Sequence, residues 1–171
     1  MRMKLRSAAA VAFTLHVALL SAQRPIGAVV HSQSVAPSPV SSEIAAATQT
    51  LHDYYKAFSS LDVAAILPYF HEPSLIILPR GVIAAPNRSP IASVFAPVMQ
   101  TLKGRGFGRS ELIIRDIKSL NPTVIMATCV AVRYKVDGSV LERVGVTYVL
   151  DKTNLGWEIA VLITNEAEPG K

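Results

Sequence analysis

From Ile44 onward apolar residues recur every three or four positions: Ile44, Ala47, Leu51, Tyr54, Tyr55 and Phe58. That spacing lays one stripe along a helix, with His52, Asp53 and Lys56 mostly on the other face. Ser41 or Ser42 is expected to cap its start, with Glu43 in the first turn. A second helix, from Ser60 or Asp62, presents Val63, Ile66 and Leu67 and should end near Pro68, which lacks the amide a helix needs. Short β-type runs, Leu75 to Leu78 and Gly81 to Ala84, flank Pro79-Arg80-Gly81. Ser89-Pro90 reads as a capping hydroxyl and a first-turn proline. Ile91, Val94, Phe95, Val98, Met99 and Leu102 then form another helical stripe, with Pro97 expected to kink it and Gly104 to stop it.

Four strand-like segments follow, at Glu111–Leu120, Thr123–Val136, Val140–Lys152 and Trp157–Thr164. They are rich in Val, Ile, Thr and Tyr and are separated by turn residues. A three-residue loop, Val136-Asp137-Gly138, with Gly138 in the left-handed conformation would set the register of the middle pair. Thr128, Val130, Val132 and Tyr134 would then share a face with Val140, Glu142, Val144, Val146 and Tyr148. Cys129, Ala131 and Arg133 would lie opposite, with Leu141, Arg143, Gly145 and Thr147. The first face is the more apolar and is assigned to the helices and a cavity. Helices gathered early and strands late predict an α+β domain: a curved, cone-shaped antiparallel sheet packed on three N-terminal helices.

Charge divides the chain. Four of its 17 basic residues, Arg2, Lys4, Arg6 and Arg24, precede the first acid, Glu43; the other 13 face all 12 acids, so the net charge falls from +5 to +1. The body therefore lacks the electrostatic footprint of a nucleic-acid binder. Residues 1–22 read as a signal peptide, with a basic start, an apolar run from Ser7 to Leu20 and a small residue at Ala22. The run is shorter than a membrane span. Secretion or periplasmic export is expected, with an uncleaved membrane anchor or an organellar transit peptide as alternatives. Residues 23–42 read as a flexible linker, and residues 43–171 as the folded domain. Cys129 is the only cysteine, so the domain must rely on its core rather than on a disulfide, and a packed, inert thiol is expected.

The stretches YYKAFSSLDVAAILPYF and VRYKVDGSVLERVGVTYVLDKTNLGWEIAVL resemble the nuclear transport factor 2-like superfamily, which includes ketosteroid isomerase and SnoaL-type polyketide cyclases. The resemblance covers residues 43–165. It implies a pocketed cone and a homodimer through the outer sheet face, and says little about activity. Matched to the isomerases, Tyr54 takes the position of the oxyanion-donating tyrosine. The general-base aspartate falls on Leu78, and the second, protonated aspartate near Val146. Neither Leu78 nor Val146 can accept or donate a proton, which disfavours steroid-isomerase chemistry.

The ligand-pocket candidates are thus Tyr54, Leu78, Tyr134, Val146, Tyr148 and Trp157, an apolar and aromatic wall suited to a small apolar organic molecule. Glu142 and His71 are weak acid–base candidates; Glu142 would need burial to raise its pKa, and His71 and Glu72, as neighbours on an extended segment, point apart. No histidine spacing supports a zinc site, and no cofactor is expected. Lys103-Gly-Arg-Gly-Phe-Gly-Arg109 has glycine spacing like a phosphate loop, but it follows a helix and opens a strand, the wrong context; a solvated, flexible connector is expected, with a mobile lip of the pocket or a contact to an anionic partner as alternatives. The leading reading is a small-molecule-binding module. The alternatives are a cofactor-independent lyase, cyclase or isomerase and an interaction domain with a closed pocket.

Overall fold

A computed structural model of the chain describes residues 38–165. The expected signal peptide and most of the expected linker lie outside the described residues. Helix α1 spans Pro39–Phe58, so the last four positions of the expected linker are helical. Its N-cap is Ser38, whose hydroxyl accepts from the Ser41 amide at 3.2 Å, rather than Ser41 or Ser42. Pro39 stands where a helix tolerates a missing amide. Glu43 accepts from Lys152 Nζ at 2.6 Å and Trp157 Nε1 at 3.2 Å, tying the start of α1 to the sheet.

Helix α2 (Val63–Ile66) is capped by Asp62, which accepts from the Ala64 amide at 2.9 Å, and tightens into a 3-10 turn at Leu67–Tyr69 around Pro68. Strands β1 (Phe70–Leu78) and β2 (Gly81–Ala85) form a hairpin. Helix α3 (Arg88–Gly104) is capped by Asn87, whose side chain accepts from the Ser89 amide at 3.0 Å. The Ser89-Pro90 signal therefore sits inside the first turn, displaced because asparagine caps at least as well as serine. Strands β3 (Phe107–Asn121), β4 (Val124–Lys135), β5 (Val140–Thr153) and β6 (Gly156–Asn165) complete the chain.

The six strands make one curved, unclosed sheet in the order β2-β1-β6-β5-β4-β3. Its pairs are antiparallel except β1 with β6, which is parallel, so the sheet is mixed where the sequence suggested an antiparallel one. Residues on its inner face line up across strands. One row runs Ile76, Leu162, Tyr148, Ala127, Ile117; the next runs Thr164, Val146, Cys129, Ile114. The stripe of α1 and that of α3 close over these rows, giving one core that includes Leu51, Phe58, Phe70, Ile91, Leu102 and Ile159.

The β4–β5 hairpin has the expected loop: Lys135 N donates to Ser139 O at 2.8 Å and Gly138 has φ +84°, a conformation open to glycine. The register beyond it differs. Tyr134 pairs with Val140, but Arg133 pairs with Glu142, so Leu141 is an extra, bulged residue. A one-residue slip sends every later side chain of one strand to the other face. The inward face of β5 is the expected one, Glu142, Val144, Val146 and Tyr148. That of β4 is the opposite one: Arg133, Ala131, Cys129 and Ala127 face inward, and Val130, Val132 and Tyr134 face outward.

Candidate functional site

Between the inner face of the sheet and helices α1 and α3 lies a cavity of about 400 Å³, within the range of small-molecule sites. Helix α1 contributes Tyr54, Tyr55 and Phe58, one stripe of its surface. Helix α3 contributes Val94, Phe95 and Val98. The strands contribute Ile76 and Leu78 from β1, Arg133 from β4, Val144, Val146 and Tyr148 from β5, and Leu162 and Thr164 from β6. Pro79 and Arg80 of the β1–β2 turn stand at the edge. Alternation along each strand explains the membership: every second residue points inward.

The deep wall is aromatic. Tyr54 meets Tyr55, Phe70 and Tyr148 edge to face, with centroids 5.2, 5.7 and 6.2 Å apart, the arrangement ring quadrupoles favour. The Tyr55 and Tyr148 hydroxyls share a hydrogen bond of 2.8 Å. Burial pushes all three phenols above their ordinary pKa, so they face the cavity as neutral hydroxyls, able to hydrogen-bond but not to act as phenolate bases. Burial likewise pushes the Cys129 thiol up to about 12, which makes it a packed group and not a nucleophile.

Toward the mouth the wall changes character. A second cavity of about 220 Å³ adjoins the first; Arg80, Val98 and Arg133 border both, and Thr101, Arg105 and Glu142 belong to the outer one. Glu142 accepts from Arg133 Nη1 on one oxygen and from Arg105 Nη1 on the other. Partial burial alone would raise its pKa. The hydrogen bonds and charges of the two guanidiniums outweigh that and hold the carboxyl below its ordinary range. The Arg133 guanidinium lies over the Phe58 ring, 5.3 Å from its centroid, a cation–π contact.

Four of the six expected pocket residues, Tyr54, Leu78, Val146 and Tyr148, border one cavity. Two do not. Tyr134 faces outward because of the bulge and lies under Arg109, whose guanidinium is 4.3 Å from its ring centroid. Trp157 packs at the far end of α1, bonded to Glu43; Glu43 precedes Tyr54 on the helix by roughly 16 Å of axis at 1.5 Å per residue. Of the acid–base candidates, Glu142 is committed to two arginines and lacks the raised pKa a base would need. His71 lies away from the cavity, with Nδ1 2.8 Å from Pro73 O and Nε2 3.8 Å from Asp151. Among the described residues no cluster of three or more His, Cys, Asp or Glu side chains has the geometry to hold a metal.

Sequence reasoning missed Arg133, Arg105 and Arg80. Arg133 was placed on the wrong face by the slipped register. Arg105 belonged to the glycine-rich segment expected to be a flexible connector. That segment is instead a folded corner. Gly106 has φ +77°, its carbonyl accepts from the Val136 amide at 3.0 Å, and a Cβ on Gly108 would meet the Lys135 carbonyl at 2.9 Å. Gly108 thus allows close backbone packing against the β4–β5 loop and Gly106 supplies the positive φ of the corner, beside Arg105, which pairs with Glu142.

The family described as NTF2-like protein (DUF6841) matches residues 42–167. No functionally curated protein matches the chain. Similar solved structures include a domain of unknown function with a cystatin-like fold from Nostoc punctiforme PCC 73102, at 17% identity and TM-score 0.62, with 75% of this chain and 79% of that one covered. A ketosteroid isomerase-like protein from Erwinia carotovora atroseptica SCRI1043 matches at 17% identity and TM-score 0.56, covering 74% and 98%. An NTF2-like protein with a cystatin-like fold from Novosphingobium aromaticivorans DSM matches at 13% and 0.59, covering 75% and 84%. At these identities the likeness is one of fold alone.

Proposed function

The chain belongs to the NTF2-like protein family (DUF6841), and from that premise we propose that it is a binding module whose cavity takes up one small, largely apolar organic molecule. The observation that carries this reading is the 400 Å³ space itself, walled by Phe58, Val94, Val146 and Leu162, with a few hydroxyls and the partly buried Arg133 among its lining. A domain that used these side chains only as core would close such a gap, because unfilled volume forfeits contacts. Catalysis by a cofactor-independent lyase, cyclase or isomerase would need a proton acceptor inside the same cavity. Leu78 and Val146 supply none, and Glu142 is held by its arginines.

Titration with N-phenyl-1-naphthylamine, a neutral apolar fluorophore, tests the reading. One saturable site per chain is expected. Val146→Trp, which adds an indole to the cavity wall, is expected to weaken binding at least tenfold while thermal unfolding stays cooperative. Absence of a saturable site, or equal binding by the variant, overturns the proposal.

Export and homodimerisation belong to the same proposal. The basic-then-apolar leader supports the first. For the second, the outer sheet face presents Ile113, 38% exposed, paired with Val130, an apolar spot on the face the family uses. Mass spectrometry of the chain recovered from the exported fraction reads both: a mass lacking about the first 22 residues, and a dimer under native conditions. An intact-length monomer would remove both proposals.

A further inference from the structure

Three arginines gather around the mouth of the cavity. Arg80 and Arg133 stand on the border between the apolar cavity and the outer one, and Arg105 lines the outer one. The outer cavity holds three arginines and a single carboxylate, Glu142, which engages Nη1 of Arg133 and Nη1 of Arg105. Arg80 forms no ion pair among the described residues. Arg133 has 16% of its side chain exposed. Its Nε is buried without a hydrogen-bond partner, and its Nη2 has none among the described residues.

A guanidinium that is largely withdrawn from water and only partly paired is costly to leave so. A simple structural ion pair would match one arginine to one carboxylate. The surplus of positive charge lies at the one place where a molecule seated in the cavity would present its end. An anionic group there would gain charge-assisted hydrogen bonds at a mouth only partly open to water. Two carboxylate oxygens suit the two cations left underused, Arg133 and Arg80. The opposite end of such a ligand would meet Phe58, Val146 and Tyr148, which offer surface and no charge.

We infer that the cavity selects a small amphipathic carboxylate, its apolar body against Phe58, Val146 and Tyr148 and its head group in the collar formed by Arg80 and Arg133. This rests on the binding-module reading and narrows it: a neutral apolar molecule fills the cavity but leaves the collar unanswered. Arg80, on the tight β1–β2 turn and exposed, acts as the outer clasp. Arg133, braced by Glu142 and the Phe58 ring, is the fixed donor.

Displacement of bound N-phenyl-1-naphthylamine from the full chain separates the two levels of the claim. The competitors are 4-phenylbutyrate and 4-phenylbutan-1-ol, which share a body and differ in the head group. The acid is expected to displace the probe at a concentration at least tenfold lower than the alcohol, although the alcohol is the more apolar. Raising the salt from 50 mM to 500 mM is expected to shrink that preference several-fold. Arg133→Gln disturbs the Glu142 pairing as well, so Arg80→Gln, which breaks no ion pair among the described residues, carries the test: the acid's preference over the alcohol should fall at least threefold. If the alcohol displaces the probe as well as the acid does, or Arg80→Gln leaves the preference intact, the carboxylate inference is overturned and the binding reading stands. If the probe itself finds no saturable site, both fall together.

Discussion

Phe70→Ala is expected to lower the unfolding free energy by ~3–5 kcal/mol. Phe70 is the first residue of β1 and is fully buried. It joins three elements: its ring centroid is 5.7 Å from Tyr54 on α1 and 5.7 Å from Phe95 on α3. Deleting the ring removes its transfer free energy and leaves a void that helices anchored elsewhere cannot collapse into. Against a total stability of about 5–15 kcal/mol for a domain, the loss leaves a marginal fold, with a melting temperature lowered on the order of 15 °C. Phe95→Ala provides the contrast. Phe95 lines the existing cavity, so part of its surface already lacks partners and its truncation should cost less. Urea unfolding of both variants measures the difference. A Phe70→Ala loss below about 1 kcal/mol, or one smaller than that of Phe95→Ala, would contradict this account of the core.

That core was largely legible in the sequence, and the reason is periodicity. The stripe Ala47, Leu51, Tyr54, Tyr55 and Phe58 is buried along α1 as its spacing requires, and the strand segments lie within a few residues of their observed limits. Capping signals were less decisive. Ser38 and Asn87 cap the long helices although Ser41, Ser42 and Ser89 carry the same chemistry, since several neighbouring hydroxyls and amides can each satisfy a first-turn amide. The parallel β1–β6 pairing depends on how distant segments meet, which no local pattern records.

The candidate site was half legible, and a single residue accounts for much of the other half. The loop at Val136-Asp137-Gly138 has its sequence signature and forms as expected. The bulge at Leu141 carries no glycine or proline; its one trace in the pattern is the run Val140-Leu141-Glu142-Arg143, two apolar residues then two polar, where alternation lapses before resuming at Val144. Passing it costs one position of register and inverts β4. The apolar Val130 and Val132 are thereby exchanged for Arg133 and its small neighbours on the inner face, and Tyr134 leaves the pocket. Both faces of β4 are apolar enough that hydrophobicity could not arbitrate. The cross-strand pair Arg133 and Glu142 was the available clue, because opposite charges directly facing one another stabilise a register. Trp157 was misplaced for a different reason. It lies on the same side of the sheet as the cavity but at the Glu43 end of α1, and position along a strand is not encoded in which face a residue takes.

Glu142→Gln is expected to destabilise the fold by ~1–3 kcal/mol at pH 7 and to do so in a pH-dependent way. Removing one partner of a buried ion pair costs about 3–5 kcal/mol and removing an exposed one roughly 0–1. Here Arg133 is mostly covered, Glu142 has a quarter of its side chain exposed and Arg105 has 43%, so solvent at the mouth reduces the buried value. The sign of the pH effect follows from the depressed pKa of Glu142 in the fold. The unfolded chain takes up this proton first as the pH falls, so acid favours unfolding. The contribution is fully present above the ordinary carboxylate pKa of about 4.3 and is lost as the pH drops through the lower, folded value. The stability gap between wild type and Glu142→Gln should therefore be constant from pH 7 to about pH 5 and narrow below roughly pH 4. A raised pKa, as a general base would need, predicts the reverse: wild type losing stability relative to the glutamine variant as the pH rises through neutrality. Urea unfolding at pH 7, 5 and 3.5 decides between a carboxylate that braces Arg133 and one poised to accept a proton. A gap that grows on acidification would remove the bracing role, and with it the fixed position of Arg133 at the cavity mouth.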